Sequence, residues 1–155
     1  MRRKIYFVLM LLWMVVIFWF SAQPAAESTQ TSLRVGRLVC GNFVRDFEEM
    51  TAAEQTALAE NIEFPIRKAA HASEYALLGI LVFGVVRKKE MTKRQMLCAI
   101  VVTVLYAASD ELHQLFVLGR SCQLRDVLID TAGAVAGVGI QYIILRHFRK
   151  MEGRE

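Results

Sequence analysis

A chain of 155 residues that is 55% hydrophobic and only 22% charged, with a mean hydropathy of +0.35, is too apolar for an ordinary soluble domain of its size. Its net charge of +4 comes from basic residues that bracket long apolar segments. That pattern sets orientation in a membrane and gives no reason to expect a nucleic-acid partner.

The first apolar segment, residues 5–22, contains no charge. Basic Arg2–Lys4 before it and Pro24-Ala25-Ala26 after it are also features of a secretory signal. The apolar run is longer than a usual signal core, however, and Trp13 and Trp19 suit a retained helix with an interfacial aromatic. An outer segment follows, residues 23–67. Within it, residues 32–47 alternate apolar and charged side chains at helical spacing and predict an amphipathic helix. Thr51-Ala52-Ala53-Glu54 reads as a capping box opening a short helix toward Asn61, and Pro65 is expected to break the chain before the next span. The pair reads as a helical hairpin lying on the membrane surface, or as a lid over a pocket.

Residues 69–86 form the second predicted span and residues 87–95 a short basic loop, read as an anchor near anionic headgroups. The third span, residues 96–116, reaches full length only by continuing through the polar Ser109–Gln114 segment. The fourth covers residues 127–145. The expected fold is therefore all-α: a polytopic membrane protein built as a four-helix transmembrane bundle, with an outer helical segment between helices 1 and 2. Residues 1–155 form a single domain.

Lysine and arginine fix the expected orientation. With both termini in the cytoplasm, the inner side holds Arg2, Arg3, Lys4, Arg87, Lys88, Lys89, Lys93, Arg94, Arg146, Arg149, Lys150 and Arg154. Only Glu90, Glu152 and Glu155 oppose them, while the other acids fall on the outer side or at the outer ends of the spans. This predicts a multi-pass protein of the bacterial cytoplasmic membrane. Cys40 and Cys122 both fall outside, where a disulfide is permitted, although two cysteines alone do not decide it. Cys98 is expected to be a small core residue.

Ionisable side chains in hydrocarbon cost on the order of 3 kcal/mol each, so their positions are informative. Lys68, His71, Glu74 and Tyr75 share one face of the second helix. Tyr106, Asp110, His113 and Gln114 share a face of the third, with Glu111 about 100° away. Asp126, Asp130, Gly133 and Gly137 line the fourth, and the glycines would let a neighbouring helix approach closely. Because the helices alternate in direction, all three polar ends should meet in the outer leaflet. Arg120 just above could hold a carboxylate or phosphate, and Ser21 and Gln23 could add hydrogen bonds. The arrangement reads as an outward-facing pocket for a polar or anionic headgroup, or as ion pairs that lock the bundle. Glu74, Asp110, Glu111, His71 and His113 are candidate acid–base groups or ligands of a divalent metal; no HExxH pattern is present, and no cofactor is otherwise expected.

The same residues carry a resemblance. Phe20-Ser21-Ala22-Gln23, Lys68–Tyr75, Ser109–Phe116, Gly119-Arg120, Asp126, Asp130 and Gly133 occur in an order that resembles the VanZ-like family of small bacterial membrane proteins. Members often carry proline where Leu118 stands, and asparagine is also common at the position of Asp130. The resemblance implies an association with resistance to teicoplanin, a glycopeptide that binds cell-wall precursors at the outer face. The expected partners are membrane lipids and a lipid-linked cell-wall precursor. Three functions compete: a binding protein of the cell envelope, a membrane-embedded hydrolase or transferase acting on a lipid headgroup, and a small lipid or solute transporter. For the last, four short helices are few. The ligand, turnover and oligomeric state are not legible.

Overall fold

The computed structural model describes residues 1–88 and 90–152. Lys89, Arg154 and Glu155, which enter the charge pattern above, lie outside the described residues. Among the described residues every regular element is helical: α1 (Arg2–Ser21), α2 (Ala25–Phe43), a single 3-10 turn (Phe47–Glu49), α3 (Ala52–Val86), α4 (Lys93–Gln114) and α5 (Leu124–Glu152). Helices α1, α3, α4 and α5 are each long and apolar enough to cross a membrane. Leu12, Val15, Leu105 and Ile143 on three of them are more than half exposed, where a soluble bundle would present polar side chains. The chain is thus a multi-pass helical membrane protein, as its composition predicts.

Helix α1 is bonded into the bundle. Trp13 Nε1 donates to the Glu74 carbonyl at 2.9 Å, and the Tyr106 hydroxyl donates to the Met14 carbonyl at 2.7 Å. Trp13 is half-buried at this contact, and Trp19 is well exposed. Both bonds cross between helices at depth, where a donor cannot turn to water instead.

Two boundaries in the outer segment differ from expectation. The amphipathic helix starts at Ala25 rather than residue 32 and ends at Phe43 rather than residue 47. Pro24 caps its start with φ −53°, which the pyrrolidine ring supplies, and Glu27 in the first turn favours the helix dipole. It stops where Val44 becomes extended and Asp46 turns to φ 59°. The capping box forms as predicted: Thr51 Oγ1 accepts from the Glu54 backbone N–H, and the Glu54 side chain accepts from the Thr51 N–H. Pro65, however, does not break the chain. Helix α3 runs unbroken for 35 residues, about 52 Å against a hydrocarbon core of about 30 Å. Pro65 and Asn61 are both exposed, so the Asn61 carbonyl that loses its helical partner can be hydrated.

This changes the hairpin. Helix α2 packs along the first half of α3, with Gly36 against Ala59 and Arg37 Nη2 donating to Thr56 Oγ1 at 2.9 Å. The second arm of the hairpin is thus the first half of α3 itself, continuous with the spanning part of that helix.

Helices α3 and α5 run parallel and nearly touch. A Cβ on Gly133 would collide with the Ala72 carbonyl oxygen, and one on Gly137 with that of Ala76. Only glycine permits that approach. Tyr75, Leu78, Val82, Phe83, Ala107 and Val138 fill the core beside this seam, with Ile17 of α1. Cys98, expected inside, is exposed on α4. Cys40 is buried in the hairpin and Cys122 is exposed in the loop before α5; all three are free thiols.

Candidate functional site

The polar ends of α3, α4 and α5 meet at the hairpin end of the bundle. Lys68 Nζ lies 2.6 Å from both carboxylate oxygens of Asp126, a part-buried pair between α3 and α5. One turn deeper, His71 Nδ1 is 3.8 Å from Asp130 Oδ1. Below them the glycine seam begins, so the two acids of α5 are held against α3 by the same close approach. On α4, Gln114 Nε2 donates to Asp110 Oδ2 at 3.3 Å.

Arg120 closes the end. Its Nε donates to the Gln23 carbonyl at 2.9 Å, Nη2 to the Phe20 carbonyl at 3.3 Å, and Nη1 to Gln114 Oε1 at 3.4 Å. It thereby ties the C-terminal end of α1 and the residue pair beyond it to the end of α4. Gly119 before it has φ 75°, a conformation that glycine adopts without strain, and the Ala25 N–H donates to the Leu118 carbonyl at 3.1 Å. Burial lowers the Arg120 pKa from its usual value, the Arg67 charge pushes the same way, and Asp110, Glu111 and Glu74 oppose both.

Two cavities result. The larger, about 240 Å³, is bounded by Ser21 of α1 and Gln23 in the turn after it, by Ser28, Thr31 and Ser32 of α2, and by Arg67, His71 and Glu74 of α3, with Asp110 and Arg120 completing it. The smaller, about 110 Å³, is bounded by Lys68, Asp126, Gln114 and Gln123 among others, and shares Ser28, Arg67, His71 and Arg120 with the first. Helix α2 covers the larger cavity from above. Its exposed lining residues are Phe20 of α1, Thr31 of α2 and Ala70 of α3, so it opens at the side of the bundle where these three helices meet. Ser21 Oγ, Asp110 Oδ1 and both oxygens of Asp130 are buried without a hydrogen-bond partner among the described residues.

Not every expected residue reaches the cavities. The ring of His113 packs on Phe18 of α1, centroids 4.5 Å apart, and lines neither cavity. Glu111 is buried and accepts the Gln123 backbone N–H at 2.9 Å, fixing the entry to α5. Tyr75 is fully buried, its ring 6.5 Å from that of Tyr106. Asp130 lies behind His71 rather than on a wall. With His113 and Glu111 turned away, the five candidate metal ligands do not converge. Among the described residues no three His, Cys, Asp or Glu side chains form a set that could hold a metal ion.

Conversely, Arg67, Ser28, Thr31 and Ser32 line the larger cavity without standing out in the sequence. A signal for them exists. Arg67 precedes His71 by four residues and Glu74 by seven, the spacing of one helical face. A chain break at Pro65 would leave Arg67 in the outer segment, whereas the unbroken α3 brings it onto that face. Ser28, Thr31 and Ser32 likewise share a face, but the amphipathic pattern is plain only from residue 32 onward.

Fold and cleft define a small multi-pass helical membrane protein with ionisable cavities at one end of its bundle. The chain belongs to the VanZ/LLP1 family, whose profile matches residues 6–146. No curated protein and no solved structure matches it at a significant level.

Proposed function

We propose that this protein is a component of the bacterial cell envelope that holds the polar headgroup of a membrane-anchored ligand, such as a lipid-linked cell-wall precursor, in the larger cavity. The observation that carries this reading is a cavity that carries ionisable and hydroxyl side chains on an otherwise apolar lining and reaches the surface at Phe20, Thr31 and Ala70. An amphiphile could enter there with its chain still in the bilayer. The idle hydrogen-bonding groups support the same reading. A buried polar atom left unpaired costs about 1–3 kcal/mol, so Ser21 and Asp110, both on the cavity lining, weaken a packing core but suit a binding wall.

The orientation is part of the proposal. With both termini in the cytoplasm, the Lys/Arg-rich ends face inward and the cavity opens in the outer leaflet of the cytoplasmic membrane. A role in teicoplanin resistance follows if the held ligand is one the antibiotic would otherwise reach. The test compares teicoplanin binding to cells expressing the wild type or a Glu74→Gln/Asp110→Asn variant at matched levels. Reduced binding only with the wild type is expected; equal binding would overturn the resistance role.

A second reading, hydrolysis or transfer at a lipid headgroup, draws on one arrangement: His71 Nδ1 faces Asp130 while His71 and Ser21 share a cavity wall. Turnover of a lipid-linked precursor by purified protein, lost in His71→Gln, would establish it; no turnover would end it. Transport is not favoured, because Leu78, Val82, Phe83 and Val138 close the bundle beyond the cleft.

A further inference from the structure

Building on the headgroup reading above, we propose that the ligand carries a phosphate group, clamped between Arg67 and Arg120 with the Ser28 hydroxyl, and that Glu74 and Asp110 accept hydrogen bonds from hydroxyl or ammonium groups of the same molecule. The two cavities share four lining residues, and two of them are guanidinium groups. Both side chains have donors to spare. Arg120 commits three of its five N–H groups to Gln23, Phe20 and Gln114. Arg67 has its Nε 3.5 Å from Glu63 Oε1, buried and without a hydrogen-bond partner among the described residues.

Ser28 lies in the first turns of α2, whose N-terminus carries a partial positive charge toward the same place. Two guanidinium forks and a hydroxyl approach from α3, the loop before α5, and α2. A carboxylate, with two oxygens, is satisfied by one fork; a tetrahedral phosphate uses all three directions. Deeper in the cavity, Glu74 of α3 and Asp110 of α4 are acceptors when ionised and need donors from the ligand. A phosphate ester bearing hydroxyl or amino groups meets both requirements, and the sideways opening favours one attached to a lipid. Free phosphate would satisfy the clamp alone.

The test uses the full chain in a neutral detergent, titrated with octyl phosphate, octanoate, octylammonium and inorganic phosphate by calorimetry. Octyl phosphate is expected to saturate one site about 10-fold or more tighter than octanoate. Arg67→Gln should weaken it about 10- to 100-fold, with Arg67→Lys intermediate. Arg34→Gln, an exposed cation elsewhere on α2, should not change it. Thermal unfolding of each variant checks that it is folded. Inorganic phosphate binding as tightly as octyl phosphate, with the same Arg67 dependence, supports the clamp and assigns it to free phosphate. Octyl phosphate no tighter than octanoate, or unaffected by Arg67→Gln, overturns the clamp; the headgroup reading survives that result if octylammonium, which offers donors to the acids, saturates a site that Glu74→Gln/Asp110→Asn weakens. If none of the three amphiphiles saturates a site, both readings fall.

Discussion

Lys68 and Asp126 illustrate how the cleft is held and how it can be broken. Their side chains are only 14% and 11% exposed. Removing one partner leaves the other charge stranded, which costs about 3–5 kcal/mol, far more than an exposed pair is worth. Lys68→Met should therefore lower stability by about that amount in detergent unfolding. Lys68→Met/Asp126→Leu should recover most of the loss, because an apolar pair needs no partner. A double variant as unstable as the single one would show that the ion pair does not govern this layer. His113 carries the opposite lesson. The helical wheel places it with Asp110, three residues earlier, yet its ring turns to Phe18. A wheel gives angles on one helix; which neighbour fills each angle is decided by where α1 wedges in, and one sequence does not reveal that.

At the level of elements, the seam between α3 and α5 sets the spacing of the acidic and basic rows. Gly137 has the Ala76 carbonyl where its Cβ would go, whereas nothing lies within 4 Å of the corresponding position at Gly139 on the same helix. Gly137→Val should destabilise the protein by several kcal/mol and weaken ligand binding, since the helices must part. Gly139→Ala should do neither. Equal tolerance of both, measured by thermal unfolding and binding, would contradict parallel packing at this seam. The close approach was legible from the Gly-x-x-x-Gly spacing, but its partner was not. The four spans were legible because an apolar run of membrane length seldom arises except to cross a bilayer. The course of α3 was not, because proline breaks a buried helix but is tolerated where the freed carbonyl meets water, and exposure of Asn61 is a tertiary fact. The continuity of α3 through Pro65 is what brings Arg67 to the cleft, and with it half of the guanidinium pair.

For the molecule as a whole, orientation decides which leaflet supplies the ligand. Two native thiols report on it. Cys122 is exposed at the cleft end, and Cys98 is exposed on α4 near its start, at the opposite end. On intact cells, a membrane-impermeant maleimide should label Cys122 and spare Cys98; labelling of Cys122 only after permeabilisation would place the cleft in the cytoplasm. The central claim, that the cavity holds a headgroup, is tested most directly by native mass spectrometry of the protein extracted gently from its own membrane. The wild type should carry one tightly retained amphiphile per chain, and Glu74→Gln/Asp110→Asn should lose it while remaining folded. Retention of the same molecule by both proteins, or by neither, would contradict the account.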